Sequence, residues 1–315
     1  MKLLHWFTSA VFVLAAIFAV SGQAVAADFT MKIGTPTIND IQHEWMKRFE
    51  PRIEKRSNGA IEVELYPASQ LGAVPRMIEG LQFGTVEALV TPSFFLSGLE
   101  KRNSILAATG LFNSMEHCRK TTSDPEFRDT LFPIMEDRGI KTIAILCSAP
   151  QAFLTKNTIN AVDDLKGQKI RVLASPFEVK PMEAIGASPT PMPLGDVAPS
   201  LQRGVIDGVS SLPIVFSKFK MHTIAKHITM TRLSYFAVPV YVSKKWFDSL
   251  PAALQTAVLE EAKTVEDGLA EWADAANNQA MEEWKAAGGM VGELPEAEQK
   301  KLQDAATAAT LAVLE

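Results

Sequence analysis

The chain has 315 residues, 47% of them hydrophobic and 21% charged, and a net charge of −5. This length supports a sizeable core and, at about 100 to 200 residues per domain, suggests two domains. The mildly acidic balance argues against nucleic acid or an anionic membrane as partner.

The first 26 residues read as a secretory signal peptide. Lys2 gives a weak positive start, Val11 to Val20 an apolar stretch, and Ala24-Val25-Ala26 a small-x-small cleavage site. The competing reading, an uncleaved anchor, meets an apolar run that is short for a span of about 20 residues and is preceded by His5, Thr8 and Ser9. Cleavage after residue 26 leaves 289 of the 315 residues and a net charge of −6, because Lys2 is lost. No later segment approaches transmembrane length, so no membrane insertion is expected after cleavage, and the compartment is read as the periplasm.

Taken in chain order, Phe29 to Gly34 alternates as a first strand, and Trp45, Met46, Phe49 and Ile53 mark a helix over Gln42 to Lys55. Ser57-Asn58-Gly59 ends that helix, and Ala60 to Tyr66 is a half-buried strand. A helix over Val74 to Phe83, a strand over Val86 to Thr91 and a buried strand over Ile140 to Cys147 complete a first α/β series. A second series begins near Gln151. It has strands at Lys169 to Leu173 and Val205 to Ser210, and helices at Ser175 to Ile185 and Val197 to Arg203. His227 to Leu233 and Val238 to Ser243 read as two further strands. No Gly/Ser linker separates the series, so structured crossovers should join them. Alternating strands and helices give the fold class α/β.

From Pro251 to Ala287 the sequence is helix-forming nearly throughout, with Leu254, Val258, Val265, Leu269, Trp272, Ala276, Ala280 and Trp284 mostly three or four apart. A helix of that length would reach roughly 55 Å, whereas one lobe is about 35 Å across. It should therefore run across two lobes. Gly268 is where it would bend, or break into two helices. Cys118 and Cys147 lie in a chain bound for an oxidising compartment, where a disulfide is permitted. The size of the core favours two buried thiols instead.

The chemistry-bearing motifs are few. His43-Glu44 is followed by Lys47 where a zincin needs its second histidine, and no CxxC, GxGxxG, GxxxxGK[ST] or GxSxG occurs. No catalytic residue, metal ligand or cofactor is expected. The informative stretch is KIRVLASPFE, residues 169 to 178. Arg171 lies at the carboxyl end of an apolar strand. Ser175, Pro176 and Glu178 supply an N-cap, an N1 proline and the third member of a capping box. Ligands bind at the carboxyl ends of strands in open α/β sheets, and a helix start favours anions. Arg adds a planar fork for a carboxylate. Periodicity alone also allows a solvent-facing charge, or an Arg171–Glu178 pair.

Several blocks together carry a resemblance over the whole mature chain: SNGAIEVELYPASQLG, EGLQFGTVEA, LKGQKIRV, GASPTPMP, SLQRGVIDG and VSKKWFDSLP. They resemble the DctP-type solute-binding proteins of tripartite ATP-independent periplasmic (TRAP) transporters. The resemblance implies a two-lobed periplasmic receptor with a cleft between the lobes and a long helix spanning both. Such a receptor closes on an organic acid and delivers it to the membrane permease subunits. Residues 27–148 and 237–276 would form lobe I, and 149–236 and 277–315 lobe II. The family's carboxylate-binding arginine falls on Arg171.

Sialic-acid-type members carry a second arginine where this chain has Gln151, a Glu-Asn where it has Ser210 and Ser211, and a polar cluster where it has Pro92-Ser93-Phe94-Phe95. Ser210 also lacks the acidic group of metal-holding members. The family's aromatic packing position falls on Leu194. Gln151 and Ser211 would help Arg171, while Ser93 and either Phe94 or Phe95 would answer from lobe I. The pocket so read suits a monocarboxylate with an apolar or aromatic body. A binding protein serving another transporter or a sensor kinase, or a periplasmic lyase or hydrolase on the same fold, are the alternatives.

Overall fold

The computed structural model describes residues 27–314; the expected leader, residues 1–26, lies outside the described residues. Strand β1 (Phe29–Gly34) pairs in parallel with β2 (Ile61–Tyr66) through helix α1 (Ile41–Arg56). Asp40 caps α1 by accepting from the amides of Gln42 and His43, and the helix buries Trp45, Met46, Phe49 and Ile53. Helix α2 (Val74–Phe83) then leads to β3 (Ala88–Val90), which pairs with β1. Two short helices, α3 (Met115–Ser123) and α4 (Pro125–Leu131), precede β4 (Ile140–Thr155).

The second series comprises β5 (Lys169–Val172), α5 (Pro176–Ala184), β6 (Ser188–Pro191), α6 (Val197–Arg203), β7 (Gly208–Ser211) and α7 (Pro213–Lys218). The chain returns along β8 (His227–Ser243) to α8 (Lys244–Ser249), α9 (Ala252–Asp267), α10 (Ala270–Ala286), β9 (Met290–Glu293) and α11 (Glu296–Leu314). Among the described residues no helix is long and apolar enough to cross a membrane.

One sheet runs through the molecule in the order β2-β1-β3-β8-β4-β7-β5-β6, with β9 also on β8. Its spine is the antiparallel pair β4 and β8, of 16 and 17 residues. Here the strands are longer than the sequence suggested. The segment from Ile140 continues past Cys147 to Thr155, and the two strands expected at 227–233 and 238–243 are one. Bulges between Cys147 and Pro150 and between Pro150 and Ala152 absorb the Ser-Ala-Pro interruption without ending the strand. On one side of the bulges β8 pairs with β3. On the other, β4 pairs with β7 and β8 with β9.

The expected long helix is two helices. Leu269 N–H bonds to Glu266 O at 3.3 Å, a tight turn, and the ladder restarts with Ala273 N–H on Leu269 O at 2.9 Å. Glycine at 268 carries no side chain to hold the helical path there. Helix α9 packs on α1 and β4, while α10 packs on α7, β4 and β9, so the reach across both halves is divided between them. Near the break, Glu266 accepts from Arg128 Nη1 at 2.7 Å and from the Ile145 amide at 3.2 Å, tying α9 to β4.

Cys118 and Cys147, read from sequence as two thiols, form a disulfide that joins α3 to β4. Their Cα atoms are 6.1 Å apart, within the usual range for a bridge. Packing of α3 on β4 brings them together, and nothing local in the sequence encodes that approach.

Candidate functional site

In β5, Ile170 and Val172 enter the core beneath α5, and alternation turns Arg171 to the other face, beside Val209 of β7. That face is covered, not wet: Arg171 is 1% exposed. Neighbouring strands flank β5 on both sides, and the chain leaving β6 brings the Met192 carbonyl onto the guanidinium. Nε donates to it at 3.1 Å and Nη2 at 3.0 Å. Nη1 donates to no protein group among the described residues. Burial lowers the Arg171 pKa to about 10, with the charge of Glu178 opposing the shift, so the side chain stays cationic at neutral pH.

The start of α5 corrects one expectation. Ser175 is the N-cap, its Oγ accepting from the Phe177 amide at 3.3 Å. Glu178 does not complete a capping box. Its carboxylate instead accepts from Gln151 Nε2 at 3.2 Å, and no ion pair joins it to Arg171 at contact distance. Burial raises the Glu178 pKa to about 7, against the lowering effects of Arg171 and Gln151.

Gln151 is the hub of a buried network. Its Nε2 also donates to Ser210 Oγ at 2.7 Å. Its Oε1 accepts from Ser234 Oγ at 3.3 Å, and its backbone carbonyl from Thr231 Oγ1 at 2.9 Å. The register sets Ser211 opposite Ala152 and Ser210 opposite Phe153. Ser211 therefore shares the Arg171 face, while Ser210 and the Gln151 side chain lie on the α5 face. The expected helpers of Arg171 are thus divided by the sheet: Ser211 is on its side, and Gln151 and Ser210 serve Glu178.

From the other half, residues Ser93–Leu96 form a 3-10 turn after β3, not a strand, so simple alternation does not apply. Phe94 is 1% exposed and meets Phe236 edge-on at 6.3 Å. Phe95 is half-buried and packs on the apolar clusters behind it. Ser93 is buried, and its Oγ has no partner among the described residues. A small cleft, open to solvent, is lined by Ser93, Phe94, Leu106 and Phe236. A second small cleft is lined by Thr109, Gln151, Phe177, Glu178 and Met182. Ala107 and Ser234 border both, so groups from the two halves face one another there. Arg171, turned onto Met192, lines neither cleft. Leu194 is half-buried and packs against the core clusters of both halves.

Sequence reasoning missed Glu178 as the partner of Gln151, together with Ser234, Phe236 and the Met192 carbonyl. For Glu178 a signal existed. It stands three and four residues before Pro181 and Met182, on the buried face of α5. A main-chain acceptor such as Met192 has no such signal.

The model of the bacterial extracellular solute-binding protein family 7, DctP, matches residues 34–314. The chain belongs to this family. The C4-dicarboxylate-binding periplasmic protein of Rhodobacter capsulatus is 30% identical over 267 residues, 84% of this chain and 78% of that protein. The 2,3-diketo-L-gulonate-binding periplasmic protein of Escherichia coli is 29% identical over 252 residues, covering 79% and 76%. The crystal structure of a TRAP periplasmic solute-binding protein from Desulfovibrio salexigens, with bound orotic acid, superposes with a TM-score of 0.86 at 27% identity, covering 90% of this chain and 92% of that one. The family's two-lobed α/β fold is the fold of this chain. These relatives are all named as solute-binding proteins. Among the described residues no group of three or more His, Cys, Asp or Glu side chains is gathered to hold a metal.

Proposed function

We propose that the chain is the periplasmic receptor of a TRAP transporter, capturing an organic acid by its carboxylate and delivering it to the membrane permease subunits. The carrying observation is Arg171: a buried cation with no carboxylate at contact distance and one guanidinium nitrogen uncommitted. A buried charge without a counter-ion is costly, and a ligand carboxylate taken in a two-bond fork offsets that cost. Ser211 shares its face and is the nearest helper by register. Ser93, whose buried hydroxyl lacks a partner among the described residues, answers from lobe I.

The ligand is a monocarboxylate with an apolar or aromatic body. Phe94, Phe236, Leu106 and Met182 supply the walls that support this reading. Residues 27–148 with 237–276, and 149–236 with 277–314, move as two lobes about the bulged stretch of β4. Ligand contacts to both lobes favour the closed form. The leader read at residues 1–26 accounts for export, and binding without turnover for the function.

A melting-temperature screen tests the proposal. Aromatic or branched-chain acids should raise the melting temperature, and should fail to do so in Arg171→Ala. A rise with dicarboxylates or sialic acid, and none with aromatic or branched acids, overturns the ligand class.

A further inference from the structure

The Glu178 carboxyl is well placed to choose among acids. One of its oxygens, Oε2, takes the Gln151 amide; the other, Oε1, receives no hydrogen bond from the described residues, and Glu178 borders the cavity between the halves. The groups around it are largely spent on one another. The Gln151 amide is shared between Glu178 and Ser210, and the Ser234 and Thr231 hydroxyls are spent on Gln151 oxygens. The Ser210 and Thr109 hydroxyls can turn either way, but an ionised carboxylate accepts only.

Resting on the reading of Arg171 as the carboxylate anchor, we infer that Glu178 selects monocarboxylates bearing a hydrogen-bond donor, an ammonium, amide N–H or hydroxyl group, and rejects a second carboxylate. The physical reason is symmetric. A donor entering the cavity satisfies the open Glu178 oxygen and, if cationic, also compensates the carboxylate's charge. A second carboxylate brings like charge against Glu178 in a site with little water to screen it. An acid without any donor leaves the oxygen unpaired once the lobes have closed and water has been expelled. Sites built to hydrogen-bond a ligand group reject analogues lacking it far more strongly than apolar pockets reject a missing methylene.

The test is a matched series on one body, measured by calorimetry at pH 8, where Glu178 is predominantly ionised. The series is 3-phenylpropanoate, phenylpyruvate, phenyllactate, phenylalanine, 3-(4-hydroxyphenyl)propanoate and benzylsuccinate. At least one donor-bearing acid should bind about 10-fold or more tighter than phenylpropanoate and phenylpyruvate, with benzylsuccinate the weakest. Glu178→Gln should retain the fold, lose the preference for an ammonium group and bind benzylsuccinate better. Glu178→Met should lose the preference for hydroxyl as well. Equal affinities across the series, or a preference unchanged in both variants, overturn the inference while leaving Arg171-dependent binding intact. If no acid binds, or Arg171→Ala binds as well as the unaltered protein, the receptor reading itself falls and this inference with it.

Discussion

Arg171 grips the Met192 carbonyl with two guanidinium nitrogens, at 3.1 and 3.0 Å, and with no carboxylate in contact its positive charge is only partly compensated. The arrangement separates binding from stability. Replacing a buried ion pair with apolar side chains is often neutral or stabilising, and removing Arg171 strands no buried counter-charge at contact distance, only the Met192 carbonyl. The Arg171→Met protein should therefore melt within a few degrees of the unaltered one, or above it. Its affinity for the natural acid should drop at least about 100-fold, since truncating a desolvated charge pair costs on the order of 2 to 5 kcal/mol. Arg171→Lys keeps the charge without the planar fork and should fall between the two. Calorimetry of ligand-free and ligand-bound protein measures both quantities. A large loss of ligand-free stability with affinity intact would make Arg171 a structural residue.

Glu178 makes folding stability depend on pH in a definite direction. Burial raises its pKa from the ordinary carboxylate value of 4.5 to about 7 in the folded chain. Between those values the native state holds a proton that the unfolded state has released, so stability falls as pH rises through the window. The shift corresponds to roughly 3 kcal/mol at most, at about 1.4 kcal/mol per unit. Asp40, Glu87 and Glu266 are also raised by burial and act in the same direction. The informative quantity is therefore the difference from Glu178→Gln. Urea unfolding at pH 5 and pH 8 should show the unaltered protein losing stability relative to the variant. A parallel pair of curves would place Glu178 in a wetter setting than its burial indicates.

Much of this architecture is legible from residue patterns, and the failures share a cause. Periodicity located β1, α1, β2 and α2 to within a residue or so, because each element's burial is set locally by spacing. It split β8 at Ser234-Tyr235-Phe236 and cut β4 at Cys147, because bulged pairing between two distant strands carries the chain through residues that look like an interruption. Arg171 was found because strand end, arginine and helix start are adjacent in sequence. The Gln151–Glu178 bond, 27 residues apart, and the Cys118–Cys147 bridge, 29 apart, depend on packing between elements, which spacing does not encode. Phe94 and Phe95 could not be told apart because a 3-10 turn has neither strand nor helix periodicity.

The disulfide should contribute measurably to stability despite the large core. Closing a loop of 29 residues removes unfolded-state entropy worth about 3 to 4 kcal/mol in the chain-entropy model. The Cys118→Ser, Cys147→Ser double variant, or the reduced protein, should melt several degrees lower in a calorimetric scan. Equal melting temperatures for oxidised and reduced protein would mean that the packing of α3 on β4 holds without the bridge.

Two glycines near the ends of α10 should respond oppositely to the same substitution. At Gly268 a Cβ would meet Thr264 O at 3.5 Å, an ordinary contact, and φ is −81°, which alanine adopts freely. Gly268→Ala should therefore stabilise by about 0.5 to 1 kcal/mol through a less flexible unfolded chain. At Gly289 a Cβ would fall on the Trp284 indole, in clash with its Nε1 and Cδ1. That indole is buried and donates to Lys226 O at 3.2 Å, fixing α10 against the loop before β8. Gly289→Ala must displace the ring from a packed site and should cost about 1 to 3 kcal/mol. Denaturant titration of the two variants checks both signs. A destabilised Gly268→Ala would mean that the break between α9 and α10 needs glycine for its conformation, and a neutral Gly289→Ala would mean that the Trp284 packing yields easily.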